Sequence, residues 1–162
     1  MTTIRRARPE DARGIHDAHM RSIREVCSRD HTPEEIAGWG NRPYRDEIRI
    51  ANMTKDFVWV VEENEKILGF AHLAFAELDG KPSAEIRGLY LAPEAVGRDC
   101  GRGLMEKMLA EIKARGVTDV QLTSTLTAQG FYRRFGFRES GPSIKRNIGG
   151  SEVRTQPMRL ES

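Results

Sequence analysis

Apolar residues recur along this chain with two periods, and the change from one to the other outlines its elements. Residues 4–8 form a short stretch that ends before Pro9 and suits a first strand. Pro9-Glu10-Asp11 then reads as a helix start, because proline is tolerated in the first turn and the helix dipole favours acids there. Ala12, Ile15, Ala18, Ile23 and Val26 give this first helix a buried stripe. Thr32-Pro33-Glu34-Glu35 joins a capping hydroxyl to a proline and two acids, so a second, shorter helix is expected through Ile36 and Trp39.

From Phe57 the pattern is that of a sheet. Residues 57–61 are β-branched and aromatic, residues 62–66 make a charged turn, and residues 67–76 complete an antiparallel hairpin. Asp79-Gly80 supplies another turn before a strand over residues 85–91, which Pro93 stops. Leu104, Met105, Met108, Leu109 and Ile112 fall at helical spacing, and residues 117–123 form the next strand. A strand, a helix and a parallel strand imply a right-handed crossover. A fourth helix over residues 126–135 ends at Gly136, placed for a left-handed turn, and residues from Phe137 and 153–160 are expected to close the sheet as a final hairpin. With no linker, repeat or low-complexity tract, residues 1–162 read as one α/β domain.

Composition narrows the functions. A chain of 162 residues buries roughly two thirds of its unfolded surface and needs no staple. Cys27 and Cys100 cannot make a disulfide framework, and the opening MTTIRRARPEDARG lacks the apolar stretch of a secretory signal, so a cytoplasmic protein is expected. The longest apolar run is far short of the ~20 residues that span a bilayer. With 26 Lys plus Arg against 24 Asp plus Glu, the net charge of +2 does not suggest a nucleic-acid binder. No Gly-x-Ser-x-Gly or His-Glu-x-x-His occurs, and His16 and His19, although one helical turn apart, have no accompanying metal-ligand pattern.

The segment LYLAPEAVGRDCGRGLM, residues 89–105, carries the chemistry. A strand that enters a helix through glycines leaves backbone N–H groups unpaired at the positive end of the dipole, and Arg98 and Arg102 add charged donors. Its plain alternative is a strand-to-helix turn that uses glycine for packing. A Walker loop needs Gly-Lys-Ser/Thr at its end, where this chain has Gly101-Arg102-Gly103. A dinucleotide fingerprint needs a third glycine where Glu106 stands.

This arrangement resembles the GNAT superfamily of acyl-CoA-dependent N-acetyltransferases, whose loop Gln/Arg-x-x-Gly-x-Gly/Ala binds acetyl-CoA. In that alignment Val96 takes the place of the first Gln or Arg, Asp99 that of the first glycine, and Gly101 keeps the second. A second block of the family, Ala-x-x-Phe-Tyr-x-x-x-Gly-Phe, is matched by Ala128 to Phe137. Ser22-Ile23-Arg24, Thr32 to Ile36 and Trp39 resemble a bacterial branch with undefined acceptors. The resemblance implies a mixed, mostly antiparallel sheet whose central parallel strands splay to admit acetyl-CoA, flanked by helices. It also implies direct acetyl transfer to a primary amine of a small molecule or peptide, with a homodimer compatible. An acyl-CoA-binding sensor without turnover is the rival, because of Val96 and Asp99.

The resemblance also distributes roles. Leu89, Tyr90 and Leu91 would meet the pantetheine arm, with the Leu91 N–H polarising the acetyl carbonyl. Val96, Gly97, Arg98, Asp99, Cys100, Gly101, Arg102 and Gly103 would hold the pyrophosphate, with Thr125 and Phe131 also on the cofactor side. Tyr132 is the general acid, since a phenol of pKa ~10 is protonated at neutral pH; it lies one step off the Phe131–Phe135 stripe, against the alternative of a core aromatic. Glu85 is the candidate base, with an ion pair to Arg87 as the plain alternative, and His72 could serve instead. By alternation Glu85, Arg87, Leu89 and Leu91 share one face. Trp39 and Tyr44 line the acceptor pocket or are buried under the first helices. Residues 1–96 carry net charge −3 and residues 97–138 net +4, a polarity that fits an anionic cofactor meeting a cationic amine.

Overall fold

The computed structural model describes residues 1–161. Strand β1 (Thr3–Arg6) ends earlier than its apolar pattern suggests, because the Asp11 carboxylate accepts from the Arg8 N–H at 2.8 Å and from the Arg5 guanidinium, turning the chain into helix α1 (Ala12–Glu25). Helix α2 (Pro33–Trp39) starts with the expected capping: the Glu35 N–H donates to Thr32 Oγ1 and the Thr32 N–H to Glu35 Oε1. Helix α3 (Asp46–Lys55) was not expected. It buries none of its residues, so no apolar stripe marks it in the sequence.

Strands β2 (Phe57–Glu63) and β3 (Lys66–Leu78) are joined by Asn64-Glu65, and β3 and β4 (Lys81–Leu91) by Asp79-Gly80. All four turn residues have positive φ, the geometry of tight hairpins, so both hairpins run longer than the apolar pattern indicated. Helix α4 (Cys100–Ala114) crosses over to β5 (Asp119–Thr125), the strand parallel to β4. Helix α5 (Gln129–Arg134) is shorter than expected, and Gly136 after it has φ +96° as foreseen. The closing hairpin differs from the expectation. It joins β7 (Ile144–Ile148) to β8 (Ser151–Leu160) through Gly149-Gly150, while β6 (Phe137–Glu139) pairs with the far end of β8.

The sheet order is β1-β2-β3-β4-β5-β8-β6, with β7 also on β8, and β4–β5 is the parallel pair. Leu104, Met105, Met108 and Ile112 of α4 pack on one face against Leu73, Ala84, Ile86, Val120 and Leu122. Burying each such side chain stabilises by about 1.5–3 kcal/mol. On the other face Ile15 of α1 packs with Val58, Val60 and Phe70, and Met20, Ile23 and Trp39 pack with Val153. Among the described residues no helix is long and apolar enough to cross a membrane.

Candidate active site

Strands β4 and β5 part company halfway. Their ladder pairs Ser83 through Ile86 with Asp119 through Leu122 and then stops, although β4 continues to Leu91 and β5 to Thr125. A bulge sits where the ladder ends: on β3, His72 faces Gly88 and Leu73 faces Ile86, so Arg87 is an extra residue. The bulge resets the alternation. Ile86, Leu89 and Leu91 face α4, whereas Glu85 lies with His72, Gly88 and Tyr90 on the α1 face, which corrects the single-face reading of Glu85, Arg87, Leu89 and Leu91.

Past the bulge, the Ala92 N–H donates to Leu68 O at 2.7 Å. Antiparallel alternation then turns the Leu89 and Leu91 amides away from β3 and into the gap. The gap opens into a cavity of about 670 Å³. Leu89, Tyr90 and Leu91 line one side, Thr125, Phe131 and Tyr132 another, and Val96, Gly97, Asp99, Cys100, Gly101 and Arg102 its α4 end. Ser22 of α1, with Val26 and Cys27 just after it, also lines the cavity; the sequence reading assigned them no role in the site, since Ser22 entered only through the resemblance and Val26 only as part of a buried stripe.

The loop has the form an anion requires. The first closing bond of α4 runs from the Gly103 N–H to Asp99 O at 3.0 Å, which leaves the amides of Cys100, Gly101 and Arg102 without an intrahelical partner. Asp99 has φ +61° and Gly97 +79°, so the position aligned with the family's glycine keeps a left-handed backbone. A Cβ at Gly101 would approach Phe131 Cε1 to 3.0 Å, which ties the loop to α5. Two loop residues stand apart from the cavity. Arg98 donates to both Glu63 oxygens, at 3.1 and 2.7 Å, and a Cβ at Gly103 would strike Ile4 Cδ1, making that glycine a packing device.

Tyr132 is packed and yet lines the cavity, its ring 5.5 Å from Phe131 and 5.8 Å from Phe137. Burial pushes its phenol above the ordinary value, so it stays protonated. Thr125 Oγ1 accepts from the Ala128 N–H at 3.2 Å. The remaining candidates lie outside the cavity lining. Glu85 is half exposed and 3.9 Å from Arg87 Nε. His72 Nε2 is 2.7 Å from Asp56 Oδ2, and burial holds its imidazole below the usual value despite that carboxylate. Trp39 is buried against His31, and Tyr44 lines a separate cavity of about 930 Å³ outside α1, with His16 5.4 Å away. Among the described residues no group of three metal-ligating side chains occurs.

Known proteins share this architecture. The GCN5-related N-acetyltransferase of Rhodopseudomonas palustris superposes with a TM-score of 0.84 at 20% identity, covering 100% of this chain and 96% of that one. The PaiA N-acetyltransferase of Thermoplasma acidophilum, solved in complex with coenzyme A, gives 0.76 at 19% identity, covering 100% and 99%. Serotonin N-acetyltransferase 2, a chloroplastic protein of Oryza sativa subsp. japonica, is 27% identical over 106 residues, 64% of this chain and 52% of that protein. The chain thus aligns with about half the length of that curated relative. The family model of the GNAT acetyltransferase domain matches residues 27–162, and with the splayed parallel pair in place, the chain belongs to the GNAT acetyltransferase family.

Proposed function

We propose that the chain binds acetyl-CoA in the gap between β4 and β5 and transfers the acetyl group directly to a primary amine. The observation that carries this reading is the end of the parallel ladder at Ile86 and Leu122, beyond which the cavity runs to the unpaired amides of α4. The pantetheine arm pairs with the backbone of Leu89 and Leu91, and the pyrophosphate rests on the amides of Cys100, Gly101 and Arg102 beside the Arg102 guanidinium. That the relative from Thermoplasma acidophilum was solved with coenzyme A supports the assignment.

In the transfer, the amine nitrogen attacks the thioester carbonyl and forms the C–N bond. The Leu91 N–H stabilises the developing oxyanion, the C–S bond breaks as Tyr132 gives its phenolic proton to the departing sulfur, and the proton that the nitrogen sheds on becoming an amide returns to the phenolate. The amine must be neutral to attack; a lysine-like amine is so for only about 1 part in 2500 at pH 7, and Glu85, through water, takes its proton. Glu85 stands on the α1 face with Tyr90, the side we assign to the acceptor. His72 is the second candidate, kept neutral by burial but with Nε2 engaged by Asp56.

The test follows thiol release from acetyl-CoA with a panel of amines. Tyr132→Phe is expected to lower kcat by about 100-fold, in the range for general acid catalysis, with the acetyl-CoA affinity retained. Full turnover in that variant removes the general-acid role. Tight acetyl-CoA binding with no thiol release for any amine favours the sensor, the rival that the residues at Val96 and Asp99 raise.

A further inference from the structure

On the α1 face of the sheet a buried hydrogen-bond donor lacks an acceptor, within a cluster of arginine and histidine side chains. Arg49 reaches from α3 between two histidines of α1, its Nη2 3.2 Å from His16 Nδ1 and 3.1 Å from His19 Nδ1. A guanidinium can only donate, so both Nδ1 atoms accept, and each neutral ring carries its proton on Nε2. Burial first, and then the Arg49 charge, hold both imidazoles below their ordinary value, which preserves the neutral form. His19 Nε2 is then a buried N–H with no partner. Its ring lies 4.3 Å from that of Tyr90, which lines the active-site cavity.

Arg42, from the loop after α2, lines the cavity outside α1 together with His16, and its Nε donates to Trp39 O at 3.0 Å. Arg5, Arg21, Arg98 and Arg154 all have carboxylates at ion-pair distance. Among the described residues Arg42 and Arg49 have none, and both are half-buried. Asp17, an acid near His16, is itself paired with Arg13 at 3.3 Å. Two like charges held together out of water, without an acid, are costly unless an anion completes them. The buried atom left without a partner in the group, His19 Nε2, is a donor, so the missing component is an acceptor.

We infer that Arg42, Arg49 and His19 form a subsite for the anionic end of the acceptor, which makes the substrate an amine that also bears a carboxylate or a phosphate monoester. The subsite rests on the acetyl-transfer reading for its place in a reaction, and on its own contacts for the anion. The Arg forks supply charge-assisted donors to either oxyanion.

Two measurements test it on the full chain. In the first, acetate or inorganic phosphate is titrated while the imidazole resonances of His16 and His19 are followed, with no acetyl-CoA present. Saturable shifts that disappear in Arg49→Gln and persist in Arg49→Lys support the subsite, and the stronger of the two anions names its chemistry; absence of shifts in the wild type overturns it. The second measures thiol release with matched amines: phenylalanine against phenethylamine, and phosphoethanolamine against ethanolamine. The anionic member is expected to have the higher kcat/KM by about tenfold or more, and Arg42→Gln and Arg49→Gln to collapse that ratio towards one. Equal use of neutral-ended amines by the wild type, or a ratio that survives both substitutions, contradicts the inference. Loss of acetyl-CoA binding would fall on the acetyl-transfer reading and leave the anion titration to decide the subsite.

Discussion

Asp99 stands at the N-cap of α4 with φ +61° and makes no side-chain hydrogen bond to the helix. Family resemblance expects glycine there, and the backbone keeps the glycine conformation because aspartate is among the few residues that tolerate it. Asp99 lines the cavity where pyrophosphate is proposed to bind. Asp99→Gly is therefore expected to tighten acetyl-CoA binding several-fold by removing a repulsive charge, and to stabilise the fold by about 1 kcal/mol by relieving the left-handed backbone. Calorimetry and urea denaturation check both; an unchanged or weaker affinity would remove Asp99 from the phosphate site. The same loop shows what single residues concealed. Arg98 and Arg102 look alike in the sequence, but Glu63, distant in the chain, takes the first and leaves the second in the cavity. The bulge at Arg87 likewise left no mark in the sequence, since it arises from how β3 and β4 meet, and it moved Glu85 to the other face.

Among the elements, α2 is the one whose start could be read from a capping pattern alone, and its further role could not. Glu35, which caps the helix, also accepts from the Arg154 N–H at 2.8 Å and from Arg154 Nη2 at 2.9 Å, tying α2 to β8. Burial by itself would raise this carboxyl; the Arg154 side chain and the backbone donors outweigh it and hold the group well below its ordinary 4.5. Its folded value is thus below the unfolded one, so the stabilisation is complete above pH 4.5 and is lost as pH falls below it. Glu35→Gln is expected to cost about 2–3 kcal/mol at pH 7, less than a fully buried pair because Arg154 is half exposed. Urea denaturation should find that difference smaller by about 1 kcal/mol at pH 3.5, and a constant difference across that range would refute the assignment. Periodic elements such as α1 and α4 were legible because they bury a stripe. Helix α3, which buries no residue, was not, and it supplies Arg49 to the donor group on the α1 face.

At the scale of the molecule, the order of strands and helices apart from α3 and the closing strands was legible from periodicity, and the splayed sheet from two motifs together. The charge totals do not show which charges the fold leaves without partners. Residues 1–96 are net acidic, yet Glu35, Glu62, Glu63 and Glu94 are taken up by arginines, while Arg42 and Arg49 on the α1 face are left without acids among the described residues. Which charges remain free is a property of the fold and not of the composition. The proposed transfer depends on acetyl-CoA entering between β4 and β5. Calorimetric titration of the full chain with acetyl-CoA tests this most directly: one site per chain is expected, with an affinity in the micromolar range of about −8 kcal/mol, weakened when Gly101→Val fills the space beside Phe131. No heat of binding at millimolar acetyl-CoA, or binding indifferent to that substitution, would contradict it.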